Sequence, residues 1–383
     1  MNDSEHESNQ ATGGPSRLAP YDLAPYDAVL LVSFGGPERP EDVVPFLENV
    51  TRGRGIPRER LAEVGEHYFL FGGKSPINDQ CRTLLEALTN EFHDRQIDVP
   101  LYWGNRNWDP FLAEAMHQIE ADGHRRVLAV MTSAYPSYSS CRQYRENLYD
   151  AVQGTTVEVD RLRHYAHHPG FLTASVDATV AALEQLDGSS SERAATRLIF
   201  VTHSIPTPMA ESSGPPPRSA EGGYVDWHRV VAAEVTRQVS ERRRDELGHD
   251  LVYCSRSGAP NQPWLEPDVN DHLRRLAEEG VQQVVAVPIG FISDHMEVIF
   301  DLDTEAAETA RELGLAFARA ATAGVHPGFI CGLVDLMAER AAVARGETVD
   351  APVISGGTVG RYRCLPGCCP NPREADRPAL CQR

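Results

Sequence analysis

The stretch VVAVPIGFISDHMEVIFDLDTE, residues 284–305, changes character at its middle. Val284, Val285, Ala286 and Val287 form an unbroken apolar run, the mark of a strand buried on both faces. Such strands belong to parallel sheets covered by helices on either side. Pro288 and Gly290 end the run. Ser293 and Asp294 are N-cap residues, and helical spacing follows them. Glu297, Asp301 and Glu305 then recur at every fourth position, with Asp303 close by. On a helix these carboxylates stack along one face and repel one another. A solvated acidic face is the ordinary meaning of such a row. Its place at the carboxyl end of a buried strand, where open α/β sheets bind ligands, points instead to a site. Carboxylates there, together with His295, can hold a divalent metal or pass protons.

Working outward, the same strand-then-helix rhythm fills the chain. Residues 28–33 (AVLLVS) read as a first strand ending in Phe34-Gly35-Gly36-Pro37, and further strands are expected over 101–104, 127–132, 198–201, 251–255 and 316–320. Helices are expected over 41–50, 78–92, 110–121, 172–186, 227–243, 269–279 and 327–342. The alternation predicts an α/β protein of two doubly wound, parallel-sheet (Rossmann-like) domains with a cleft between them. Residues 1–25 read as a disordered extension, 26–187 as the first domain and 193–345 as the second, with the polar DGSSSE (187–192) as the boundary. Residues 346–383 form a Cys-rich tail. The GGP turn lacks the third glycine of a dinucleotide fingerprint.

The chain has 383 residues, 41% of them hydrophobic, enough for two real cores. Its formal charge of −19 argues against nucleic-acid backbones and anionic membrane surfaces. No apolar run approaches the roughly 20 residues that span a bilayer. The polar opening MNDSEHESNQATGGPSRLAP has no signal-peptide core, so a cytoplasmic protein is expected. Eight cysteines are present, and four of them (Cys364, Cys368, Cys369, Cys381) cluster near the end. With four prolines around them these cannot build a core. Four thiolates suit zinc or a [2Fe–2S] cluster, and spacing alone does not choose.

Three further places draw notice. His203 follows a buried strand and precedes a proline-rich loop, as Glu297 does later. A neutral imidazole facing a carboxylate is an incomplete ligand set, suited to delivering a metal rather than storing it. Residues 133–144 (SAYPSYSSCRQY) bring three tyrosines, several hydroxyls and Arg142 to a strand exit. That is a wall for a flat aromatic ligand bearing carboxylates. The loop after the first helix, Arg52-Gly53-Arg54-Gly55, is basic.

VTHSIP around His203 and PIGFISDHMEVIFDLD from Pro288 together resemble the ferrochelatases. LLVSFGGPERPEDVVPFLENVTRGR, FGGKSPIN, SAYPSYSSCRQY and SRSGAPNQPWLEPD match the same family in consistent order, over roughly residues 26–342. NVTRGRG and GNRNW look like the actinobacterial branch, whose enzymes insert iron into coproporphyrin III before the propionates are decarboxylated. The resemblance implies that Fe²⁺ and a porphyrin are substrates. His203 would be proton acceptor and iron ligand with Glu297 as its partner, and Asp301 and Glu305 would form a metal or proton track. Asp294 and His295 would support them. Ser75, Tyr144, Phe34, Arg52 and Arg54 would meet the macrocycle or its propionates.

The resemblance also implies a [2Fe–2S] cluster at the C-terminus, with Cys364, Cys381 and one or both of Cys368 and Cys369 as ligands. Where the animal pattern has a mid-chain ligand this chain has His167, His168 and Thr173, so Cys141 or Cys331 is the candidate fourth. Two departures stand out. Phe34 replaces a tyrosine that can ligate product iron in some relatives, and Thr51 replaces a basic residue. Neither an integral membrane association nor a nucleic-acid partner is expected; transient contact with neighbouring haem-pathway enzymes is. The competing readings are a protoporphyrin IX ferrochelatase, a cobalt chelatase acting on a corrinoid precursor, and a haem or metal carrier without turnover.

Overall fold

The computed structural model describes residues 21–53, 55–187, 195–257, 261–365 and 367–380. Residues 1–20 of the expected extension, most of the 187–192 boundary, Arg54 and Cys381 therefore lie outside the described residues.

Eight strands form two sheets. The first contains β1 (Ala28–Ser33), β2 (Leu101–Asn105), β3 (Arg126–Met131) and β4 (Glu158–Arg161), in the spatial order β2-β1-β3-β4. The second contains β5 (Thr196–His203), β6 (Gly248–Cys254), β7 (Gln283–Val287) and β8 (Ala316–Arg319), in the order β6-β5-β7-β8. Every pairing is parallel. The two sheets share one topology, so the chain repeats itself in three dimensions although no repeat is visible in its sequence. In each sheet the two central strands send the chain to opposite sides, which opens a crevice at their carboxyl ends.

The unbroken apolar runs are the strands that lie wholly inside: every residue of β1 and β7 is buried. Helices cover both faces, as the reading of these runs requires. Several elements were not anticipated, among them the short helices Gln143–Ala151 and Thr207–Glu211. The helix Arg58–Phe69 presents only Leu61 and Gly65 to the interior, so its sequence carries little apolar periodicity. The strand β4 is an edge strand of four residues, EVDR, and looks like loop.

The halves interlock. The last helix, Pro327–Ala344, packs on the helices Ile77–Asp94 and Pro169–Asp187 of the first half, and one apolar core runs from Leu31 and Phe171 through Leu333 to Phe200 and Val285. Beyond it, residues 345–380 form no regular element and lie against the first half. Their backbone is captured at Ile354 (N–H to the His167 carbonyl, 3.0 Å) and Leu380 (N–H to the Arg145 carbonyl, 3.1 Å). No helix among the described residues is long and apolar enough to cross a membrane.

The loop leaving β7 is seated by Gly290. Its N–H bonds the Val201 carbonyl at 3.1 Å, and a Cβ placed there would lie 2.1 Å from Thr202 Oγ1 and 2.7 Å from Thr202 Cα. Gly290→Ala is therefore expected to cost about 1–3 kcal/mol of stability through overpacking, read by chemical denaturation. An unchanged midpoint would mean that the loop is not clamped on β5.

Candidate active site

His203 is the last residue of β5, rather than lying just beyond it, and pairs in register with Cys254 of β6. The segment carrying Glu297 leaves the neighbouring central strand, β7. The two groups thus meet at the switch point of the second sheet. His203 Nδ1 donates to the Ser204 carbonyl, which turns Nε2 toward Glu297 Oε1 at 3.5 Å. Both side chains open to the cleft, 32% and 47% exposed.

The helix start differs from expectation. Ser293 and Asp294 do not cap it; His295 does, its Nδ1 accepting the Glu297 N–H at 3.2 Å. Asp294 is engaged elsewhere. Its carboxylate takes Arg319 Nη1 (3.1 Å) and the Thr322 hydroxyl (3.2 Å), and its N–H reaches Gln80 Oε1 across the cleft (2.9 Å). After one α-turn, Met296–Val298, the helix widens into a π-helix over Ile299–Ala306 before tightening again over Ala307–Glu312. A π-turn holds about 4.4 residues, so a four-residue step drifts opposite in hand to the same step in an α-helix. Alternating the two keeps Glu297, Asp301 and Glu305 near one line. Asp303 leaves that line and is bound by Arg319, with Nη2 at 2.9 Å.

The charges along the row differ sharply. Burial disfavours the Glu297 carboxylate, but the charges and hydrogen bond of His203, with His295, outweigh it and bring its pKa down to about 2. Burial likewise pulls His203 down, and Glu297 raises it to about 9. Asp301 is pushed up by burial to about 7; the Ser255 hydroxyl bonded to it opposes this, and the charges of Glu297 and Glu305 add to it. Burial also raises Glu305. The row therefore begins with a fixed ion pair and continues with a carboxyl that titrates near neutrality. Ser255 holds its place in a left-handed backbone conformation, φ +61°, which a serine rarely adopts.

The first half faces this row. His67 stacks flat on Phe300 of the π-helix, ring centroids 4.1 Å apart. Beside it, burial and the charge of Glu297 raise the pKa of Tyr68, so its phenol stays neutral. Of the residues expected to meet a macrocycle, Phe34 and Tyr144 are brought together by Arg106, whose guanidinium lies 5.5 Å and 4.4 Å from their ring centroids. Arg106 is held by Asn147 Oδ1 at 2.7 Å. Ser75 is buried beneath Gly36, its N–H on the Pro37 carbonyl at 2.8 Å. Arg52 is exposed and bonds Asn49 Oδ1 at 2.5 Å.

Arg106 and Ser255 were not singled out in the sequence. Both sit just past a strand, at the position that singled out His203, and that signal would have found them.

A second cluster gathers sulfur. Cys141, from the π-turn Tyr138–Arg142, packs with Cys364, Cys368 and Cys369 of the tail, and all four are buried. Cys331 is not among them; it lies near Arg95 on the other side of the first half. Arg161 Nη2 bonds Cys364 Sγ at 3.1 Å, and the Gly214 N–H bonds Cys369 Sγ at 3.2 Å. Hydrogen bonds from Cys141 and Cys368, with the charges of Arg161 and Arg145, hold the Cys364 thiol well below its ordinary pKa. Among the described residues no group of three or more His, Cys, Asp or Glu side chains is arranged around a single ion.

The described residues thus bring an ionisable His–Glu pair and an acidic row to the switch point of the second sheet. The ferrochelatase family model matches residues 26–341. The chain belongs to that family of metal chelatases, which are lyases. A coproporphyrin III ferrochelatase of Streptomyces griseus is 53% identical over 365 residues, covering 94% of this chain and 96% of that protein. One from Streptomyces coelicolor is 53% identical with the same coverage. A ferrochelatase of Rhodopirellula baltica is 45% identical, covering 91% and 94%.

The Asp301 carboxyl is neutral below its pKa and charged above it, and only the charged form attracts a metal ion. The rate at limiting Fe²⁺ is therefore expected to rise with pH through about 7. Asp301→Asn is expected to remove that limb and to slow the reaction by roughly tenfold under the same limiting iron. A profile that rises equally in wild type and variant would take Asp301 out of the track.

Proposed function

We propose that this protein inserts Fe²⁺ into coproporphyrin III, giving Fe-coproporphyrin III with release of two protons, as a step of haem biosynthesis. The observation that carries the reaction is the His203–Glu297 pair at the head of an acidic row. The choice of porphyrin rests on the two Streptomyces relatives.

At rest Glu297 is a carboxylate and His203 an imidazolium, held as an ion pair. Fe²⁺ passing from Glu305 and Asp301 to Glu297 brings positive charge beside His203 and lowers its proton affinity. With its own proton passed to Asp301 and on to solvent, the neutral imidazole can accept the first pyrrole proton, discharge it by the same route and accept the second, while the metal moves to the exposed ring nitrogens. Two protons leave as one dication enters, so the macrocycle's charge is unchanged. Asp301, poised near neutrality, can take up a proton and give it to solvent along the same row. Phe34 and Arg106 offer a ring and a guanidinium to hold the flat substrate from the first half, while Tyr144, buried in the core beneath Arg106, supports that guanidinium. Phe34 offers no donor atom for axial iron ligation, which favours release of product. We place the reaction in the cytoplasm, with handover to the next enzyme of the pathway.

We further infer that the sulfur cluster holds a [2Fe–2S] group on Cys141, Cys364 and ligands drawn from Cys368, Cys369 and Cys381. Four buried sulfurs already in contact, two N–H donors aimed at them and adjacent guanidinium charge are what an anionic iron–sulfur group needs. When bound, the group would supply Fe–S bonds that cross-link the tail to the Tyr138–Arg142 turn. Anaerobically purified protein is expected to contain iron and acid-labile sulfide in equal amounts, and Cys141→Ser to lose both. Zinc without sulfide would identify the other group that four thiolates suit.

Anaerobic Fe²⁺ insertion into coproporphyrin III and protoporphyrin IX, run in parallel, tests the function. Faster turnover of the four-propionate ring is expected, and His203→Ala should abolish insertion while porphyrin still binds. Preference for protoporphyrin IX would make this the enzyme that forms protohaem directly. Stoichiometric haem retained through purification, with no turnover, would make it a carrier.

A further inference from the structure

We propose that Tyr224 and Ser213 are positioning residues for His203, and that they tie its backbone to the buried sulfur of Cys369. The inference rests on the reading of His203 as the proton acceptor.

The end of β5 is held from below by a buried polar group. The Tyr224 hydroxyl lies 2.9 Å from the His203 carbonyl and 2.7 Å from Thr202 Oγ1, so its single proton is shared between the two. His228 fixes the rest of the pattern. Burial lowers its pKa to about 3, so the ring is neutral. A carbonyl can only accept, so Nδ1 donates to the Tyr224 carbonyl at 2.7 Å and Nε2 takes the Thr202 hydroxyl proton at 2.9 Å. Tyr135, from the wall after β3, stacks on the His228 ring with centroids 3.5 Å apart. All these groups are buried. None faces the cleft, and none is needed to seat a substrate.

A short path leads from Tyr224 to the sulfur cluster. Its N–H bonds Ser213 Oγ at 2.7 Å, and the Gly223 N–H bonds the Ser213 carbonyl at 2.9 Å. The next residue, Gly214, donates its N–H to Cys369 Sγ at 3.2 Å. Gly214 and Gly223 meet without side chains between them: a Cβ on Gly214 would lie 3.1 Å from the Gly223 Cα. The path therefore runs through backbone, the Ser213 hydroxyl and the Tyr224 side chain, whose burial leaves it little room to absorb a displacement. His203 Nδ1 is tied to the adjacent Ser204 carbonyl, so a shift at the end of β5 swings Nε2 relative to Glu297. Holding Cys369 in place holds the acceptor in place.

The test is steady-state kinetics at saturating Fe²⁺ on Tyr224→Phe, Ser213→Ala, Cys369→Ala and the Tyr224→Phe/Cys369→Ala pair, with thermal unfolding to show that each is folded. Tyr224→Phe is expected to lower kcat about fivefold to tenfold with the porphyrin KM unchanged, the loss of one buried hydrogen bond at the reacting group. Ser213→Ala and Cys369→Ala are expected to act in the same sense. The double variant should fall little below the worse single one, because both cut one path. Multiplying losses in the double variant, or a raised KM with kcat intact, would overturn the inference. His203→Ala measured alongside separates the two readings. Turnover kept there removes the base itself, whereas loss there with normal kcat in Tyr224→Phe removes only the positioning role.

Discussion

The His203–Glu297 ion pair sets the terms for everything around it. A carboxylate and an imidazolium share a half-open cleft, and each keeps its charge because the other is there. Neither would hold alone, since burial works against both charged forms. The pair is also incomplete as a metal site, and that incompleteness is useful. A closed set of four ligands would bind iron too tightly for transfer to a porphyrin, whereas two ligands, one ending β5 and one on the helix after β7, would hold it briefly. Parallel topology is what makes this arrangement available. At the switch between β5 and β7 the chain leaves two neighbouring strands toward opposite faces, so their carboxyl ends open side by side.

A row of like charges leading to that pair ought to destabilise its helix, and the structure shows how the repulsion is contained. Arg319 removes two carboxylates from the account by binding both Asp294 and Asp303. Asp301 carries only part of a charge near neutrality and is bonded by Ser255. What remains is one full anion already paired with His203 and one partly buried Glu305. The π-widening over Ile299–Ala306 fits the same logic. It costs some hydrogen-bond geometry and lines up the groups a metal would visit, and such bulges are frequent at functional sites.

Much of this could be read in the sequence because parallel α/β folds write their strands as short unbroken apolar runs. β1, β3, β5 and β7, the central strands, were all visible for that reason. What could not be read had weaker physical signatures. The edge strand β4 is too short and polar to announce itself, and the Arg58–Phe69 helix buries too little to show a period. The cap at His295 escaped because aspartate is the stronger capping residue in isolation; only Arg319, distant in sequence, diverts Asp294 from that role. The π-helix has no local sequence code. Cys141 was one of two candidates to join the tail, and choosing between them needed the docking of that tail on the first half.

That docking follows a different rule from the rest of the chain. Residues 345–380 supply few apolar side chains, so hydrophobic burial cannot hold them. Their carbonyls are captured instead by buried arginines of the first half: Arg163 Nη2 on Pro352 (3.0 Å), Arg161 Nη2 on Arg361 (2.9 Å) and Arg145 Nη1 on Leu380 (3.1 Å). Arg142 caps the Arg377 carbonyl and pairs with buried Glu146, which Asn371 also bonds. Burying several guanidinium groups in one region is expensive unless anionic or carbonyl oxygen surrounds each. Glu146 pairs with Arg142 and Glu339 with Arg163, and both carboxylates are buried. The Cys364 sulfur is a further acceptor, taking Arg161 Nη2 at 3.1 Å, and the hydrogen bonds and guanidinium charges around it lower the pKa of its thiol. The tail is thus held by polar capture: carbonyls of Pro352, Arg361 and Leu380 and the sulfur of Cys364 serve as acceptors for arginines whose burial would otherwise be costly.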